Sequence, residues 1–138
     1  MSTKKPTTLK RGQYKLHVVK GDRVKVIAGK DKGLVGEVLA TQPHRGTVTV
    51  AGVNIVKRHL KDTSAQPQSR QTTKGGIVSS EAPVHASNVQ LVVRNAEGDE
   101  VVTRVGYERT EVTKRRPDGS EYKSTRSMRV ARVTGEEI

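Results

Sequence analysis

The chain has 138 residues, with 26 Lys and Arg against 14 Asp and Glu, and a formal charge of +12. It holds no Cys, Phe or Trp and only three Tyr, which excludes disulfides and cysteine-ligated zinc and leaves a small core built mainly of valine. No run approaches the ~18 apolar residues of a membrane span and no apolar segment opens the chain, so one cytoplasmic domain with appendages is expected.

The charge is uneven. Residues 1–62 carry 14 Lys and Arg against 4 Asp and Glu, residues 63–100 carry 3 against 4, and residues 101–138 carry 9 against 6. A positive field gathered on the N-terminal half is the footprint of a surface that meets a polyanion.

Met1–Gln13 is polar and basic with nothing to bury, and reads as a solvated tail. From Leu16 the pattern turns β. In Arg23-Val24-Lys25-Val26 the two valines share one face. Gly29-Lys30-Asp31-Lys32-Gly33 is a turn, after which Leu34, Gly36 and Val38 are expected on one face of the next strand. Gly36 in mid-strand signals a bulge or another backbone passing close by. Gln42–Gly46 turns the chain into a strand over Thr47–Val50, and Ala51-Gly52 turns it again into a fourth strand over Val53–Val56. A fifth is expected over Asn88–Val93, after a turn at His85-Ala86-Ser87. No segment shows apolar residues at helical spacing over three turns. Five short strands with tight turns predict a mainly β chain with an SH3-like barrel.

Lys61–Gly75 is a long polar run, and a loop of that length within a compact domain is usually functional or disordered. It reads as an extended arm. Beyond Val93, Asn95–Asp99 is an acidic turn, Val101–Val105 resumes β character, and Pro117-Asp118-Gly119-Ser120 separates strands over Tyr107–Lys114 and Tyr122–Val133. The chain thus divides into a basic tail at 1–14, a barrel at 15–94 with an extended arm at 60–76, and a C-terminal β-hairpin extension at 95–138.

Catalytic chemistry finds no support. His17, His44, His59 and His85 are scattered with no metal-ligand spacing. Gly29–Gly36 lacks the Gly-Lys-Ser/Thr end of a phosphate loop and sits between strands, and no Gly-x-Ser-x-Gly occurs. No catalytic residue, metal site, cofactor or small-molecule substrate is therefore expected.

What is present is basic. Lys20, Arg23, Lys25, Lys30 and Lys32 fall within 13 residues, and Lys57, Arg58, His59 and Lys61 form a second cluster at the end of the predicted fourth strand. Either alone reads equally well as a solvated face. Both on one small barrel point to phosphates, neutralised with release of counterions. No aromatic residue lies between Lys15 and Gly106, which disfavours the stacking of unpaired bases and favours backbone and shape recognition of folded RNA.

Lys20-Gly21-Asp22-x-Val24-x-Val26-Ile27-x-Gly29-Lys30-Asp31-Lys32-Gly33 resembles the KOW-domain proteins. With Gly52-Val53-Asn54-x-Val56-Lys57-Arg58-His59, Gly75-Gly76-Ile77-Val78, Glu81-Ala82-Pro83-Val84-His85-x-Ser87-Asn88-Val89 and Thr103-Arg104-Val105-Gly106-Tyr107, it resembles the bacterial-type family of large-subunit ribosomal proteins numbered twenty-four. The resemblance runs from about Leu16 to the C-terminus. It implies a KOW barrel and a structural component of the cytoplasmic ribosome that binds the 5′ domain of the large-subunit rRNA. It also implies a part in starting subunit assembly, and a place near the polypeptide exit tunnel. Neighbouring large-subunit proteins are the implied partners, with the nascent chain as a candidate further contact and no membrane. The family's protruding loop corresponds to about Val56–Gly76, which adds Arg70 and Lys74 to the candidate RNA-binding residues. Gly21, Gly29, Gly33, Gly36 and Gly52 are the motif glycines. The hairpin over Tyr107–Val133, with Lys114-Arg115-Arg116 and Lys123, is longer than the family pattern. A transcription or translation factor with a KOW domain is the alternative, but it needs an effector domain for which the chain has no room.

Overall fold

The structure, a computed structural model, describes residues 14–62 and 75–138. The tail before Tyr14 and the middle of the arm, with Arg70 and Lys74, lie outside the described residues. The chain forms two compact units, one ending at Val89 and one spanning Gln90–Ile138.

In the first unit β1 (Arg23–Val26), β2 (Val35–Gln42), β3 (Thr47–Val50) and β6 (Val84–His85) form an antiparallel sheet in the order β6-β3-β2-β1. Alternation sets the core. Val24, Val26, Val38, Val48 and Val50 point inward and join Val18, Val53, Ala86 and Val89, all buried. Each buried valine contributes about 1.5–3 kcal/mol against exposure. A single 3-10 turn, Ala86–Asn88, is the one helical element among the described residues. β4 (Ile55–Leu60) and β5 (Gly76–Glu81) pair only with each other, from Ile55 opposite Glu81 to Leu60 opposite Gly76.

In the second unit β7 (Val89–Arg94) pairs with β8 (Glu100–Thr103) across an Asn95–Asp99 turn. The Asn95 Oδ1 accepts from the amides of Glu97 (3.0 Å) and Asp99 (2.9 Å) and holds that turn. β9 (Val105–Arg115) and β10 (Glu121–Ala131) pair over their full length. Leu91, Val92, Val130 and Ala131 are buried here. The Thr103 hydroxyl, also buried, accepts from the Val133 amide at 3.1 Å.

The molecule is thus mainly β and SH3-like, with a C-terminal β-hairpin, as the sequence predicts. Three local expectations need correction. Leu34 is not an inward strand residue: its amide donates to Asp31 O within the turn, and it is 46% exposed. Of the two readings of Gly36, the bulge lies elsewhere, with the register shift between Val38 and Ala40. Gly36 marks the close approach instead. A Cβ there would collide with the Ala51 carbonyl oxygen and come within 2.9 Å of Val50 Cγ1. The fourth strand is not Val53–Val56 within the barrel sheet. Val53 is a buried turn residue, and the strand from Ile55 leaves the sheet as a separate ribbon. Finally, Asn88 belongs to the 3-10 turn, so the next strand starts at Val89.

Candidate nucleic-acid interface

Three devices place the basic residues. The first is the turn before β1. Gly21 adopts φ +93°, its amide donates to Val38 O, and the buried Asp22 carboxylate accepts from the Val19 amide at 2.9 Å. This pins Lys20, exposed, beside the start of the sheet. On β1 itself Arg23 and Lys25 face away from the valine core, but the register sets Arg23 opposite Glu37, which counters part of its charge locally.

The second device is the Gly29–Gly33 loop. Both glycines take φ +93°, a region that costs an L side chain strain. The Gly33 amide closes the loop onto Val26 O at 2.8 Å, leaving Lys30 and Lys32 exposed. Asp31 between them turns the other way, and its Oδ2 accepts from the Asn54 amide at 2.8 Å. The one acid of the loop is thereby engaged in holding the fold, and two ammonium groups are left facing solvent.

Asn54 is the third device. It is the one non-glycine residue with positive φ (+53°) among those described, a conformation that Asn tolerates better than most. Its carbonyl accepts from the Ala82 amide at 2.9 Å, and its Nδ2 donates to Ala82 O (3.4 Å) and Pro83 O (3.3 Å). It therefore ties both strands of the β4–β5 ribbon at their root, while Asp31 ties that root to the basic loop. Lys57 is three residues along β4, about 10 Å from Asn54 along the strand.

Strand alternation splits the second cluster. Lys57 and His59 share one face of the ribbon with Ile55, Ile77 and Ser79, whereas Arg58 lies on the other with Val56, Leu60 and Val78. Lys61 follows the strand, exposed. Glu81, the one acid on the paired strands, sits at the root, where its Oε1 accepts from the Gly52 amide at 3.4 Å. Six residue pairs make a ribbon about 20 Å long. Ile55, Leu60, Ile77 and Val78 are all 41–64% exposed. A two-stranded ribbon with no third layer is marginal in water by itself, and its bare aliphatics mark a surface shaped for contact.

The structure thus leaves Lys30 and Lys32 exposed on a loop bonded to the ribbon root, sets Lys57 and Arg58 on opposite ribbon faces and pairs Arg23 in register with an acid. Gly52 (φ +73°) makes the turn that launches the ribbon. Sequence reasoning missed Asp31 and Asn54 as the residues that bond the basic loop to the ribbon root. An Asn directly after a Gly-Val turn was the available signal. A cleft of about 200 Å³ runs from Gly29–Asp31 to Asn54 and Pro83. It is smaller than the ~300–1,000 Å³ of small-molecule sites, so the region offers a surface more than a pocket.

The KOW motif matches residues 20–50, which span the β1 turn, the basic loop and β3. The family described as large ribosomal subunit protein uL24, C-terminal domain, matches residues 53–138. Three relatives carry the name large ribosomal subunit protein uL24. That of Cutibacterium acnes is 63% identical over 114 residues, covering 83% of this chain and 91% of the relative. That of a Nocardioides species is 54% identical over 121 residues, 88% of this chain and 93% of the relative. That of Staphylococcus epidermidis is 43% identical over 123 residues, 89% and 96%. The chain belongs to the uL24 family, and is a structural, non-enzymatic constituent of the large ribosomal subunit.

Proposed function

We propose that the protein binds the 5′ domain of the large-subunit rRNA through its basic loop and ribbon, helps start subunit assembly, and lies near the polypeptide exit tunnel. The observation that carries the RNA reading is the Asp31–Asn54 hydrogen bond, which holds Lys30 and Lys32 against the root of a ribbon bearing Lys57 and Arg58. Lys20, Arg23, Lys25, His59 and Lys61 contribute further RNA contacts, as do Arg70 and Lys74, which lie outside the described residues. Recognition is of backbone and shape, because the region between Lys15 and Gly106 has no aromatic residue on which a base could stack. Opposite ribbon faces bearing Lys57 and Arg58 suit insertion between two RNA helices. The exposed Ile55, Ile77 and Val78 suit contact with a neighbouring ribosomal protein, and the arm with the nascent chain.

Salt-dependent binding to a transcript of the 5′ domain tests this. Replacing Lys30, Lys32, Lys57 and Arg58 together by Ala should weaken binding and lower the slope of log K against log salt by about 3. A variant with the parental slope, or a parent that binds other rRNA domains equally well, would overturn the assignment.

A further inference from the structure

The β9–β10 hairpin has two unlike faces. In its register even-numbered residues pair with even and odd with odd, so one face is even and the other odd. On the distal half of the odd face, charges alternate in sign. Arg115 stands opposite Glu121, and Glu111 lies between Arg109 and Lys123. The even face differs. Lys114 is paired with Tyr122, Val112 with Ser124 and Thr110 with Arg126, and no acid occurs before Glu108, about 20 Å from Lys114 along the strand.

The turn adds to this face. Arg116, at its start, lays its guanidinium over the Tyr122 ring, with Cζ 5.1 Å from the centroid. The turn is rigidly made. Arg116 N donates to Ser120 O at 2.8 Å, Gly119 takes φ +91°, and Asp118 Oδ1 accepts from both the amide (2.9 Å) and the hydroxyl (2.7 Å) of Ser120. Asp118 is thus engaged within the turn, as Asp31 is in the other basic loop.

We infer that the even face of the hairpin tip is a second RNA-binding surface, on which Lys114, Arg116 and Arg126 neutralise phosphates and the Arg116–Tyr122 stack receives an unpaired base. A guanidinium lying on a ring is a ready stacking platform of the kind single-stranded RNA uses. This inference rests on the reading of the protein as an rRNA binder. RNA is the favoured occupant because the face combines cations with an exposed aromatic, and from Thr110 to the turn it carries no acid. The odd face, with alternating charges, is left to solvent.

The test compares two double variants that remove the same charge. Lys114→Gln with Arg116→Gln alters the even face, and Arg115→Gln with Lys123→Gln alters the odd face. Binding of full-length large-subunit transcript is followed across salt, with thermal unfolding checked for each. The even pair should weaken binding about tenfold and lower the salt slope by about 1–2, while the odd pair should change affinity less than about twofold. Tyr122→Ser should weaken binding about fivefold and Tyr122→Phe should not. Equal effects from the two pairs, or none from either, would overturn the face assignment while leaving the loop-and-ribbon reading intact. Even-face variants that bind naked RNA like the parent but enter subunits poorly would overturn it in favour of a protein neighbour. A parent that fails to bind the transcript at all would overturn the underlying reading as well.

Discussion

The two β-ribbons of this molecule solve the same problem differently. β4–β5 carries Lys57, Arg58 and His59 on both faces, with its single acid held at the root. β9–β10 is longer and carries acids along one face while its distal other face has none. The first ribbon is therefore cationic whichever side meets a phosphate, and depends on its root for placement. The second can present its charge only by presenting one face. In both, an aspartate beside the cations is spent on internal hydrogen bonds, Asp31 on Asn54 and Asp118 on Ser120. Charge density at the surface thus comes from where the acids are aimed as much as from how many bases there are.

The comparison breaks most visibly if the ribbons weigh equally. The quadruple change at Lys30, Lys32, Lys57 and Arg58 should lower affinity for the large-subunit transcript by about 100-fold or more at moderate salt, against about tenfold for the even-face pair on the hairpin. Filter binding on both sets in one salt series would show it. A reversed order would make the hairpin the primary site.

A smaller effect separates the two units by packing. Gly36→Ala drives a methyl against the Ala51 carbonyl, which is held in turn by the short strand connection, and should cost about 2–3 kcal/mol in denaturant unfolding. Gly106→Ala meets the Arg132 side chain at 3.2 Å and Val130 Cγ2 at 3.3 Å, and a flexible arginine stem can move aside, so about 0.5–1 kcal/mol is expected. Equal costs would mean that the Gly36 contact relaxes as easily as the Gly106 contact.

The smallest effect is the pH response of the hairpin tip. Hydrogen bonds from the Ser120 hydroxyl and then its amide hold the Asp118 carboxyl below its usual 3.8. A lowered folded value means that the turn's extra stability is complete above the unfolded value and fades as pH falls through the folded one. The Ser120 amide resonance should hold steady from neutral pH down to about 4 and move below it.

Much of the fold was legible because alternation reports burial directly. Val24 and Val26, or Val48 and Val50, could face only a core, and Gly29 and Gly33 could only turn the chain. The β4 segment was misread for the same reason. Alternation says which residues are buried, not which strand lies alongside, and Ile55-Val56 looks like a barrel strand although Ile55 is 54% exposed. The basic residues of the site were legible by composition. Their grouping was not, because it depends on a contact 23 residues apart in sequence between Asp31 and Asn54. The hairpin's charges were equally plain, but their separation onto faces appears only once the register is known.

The central claim is that Asp31 assembles the RNA-binding surface by holding the Lys30–Lys32 loop on the ribbon root. The most direct test is the affinity of Asp31→Ala for the 5′-domain transcript at several salt concentrations. Removing an acid raises the net charge by one, so simple electrostatics predicts tighter binding. The expected result is the opposite, a loss of about tenfold, as the two lysines lose their fixed position. Binding that is unchanged or tighter would contradict it.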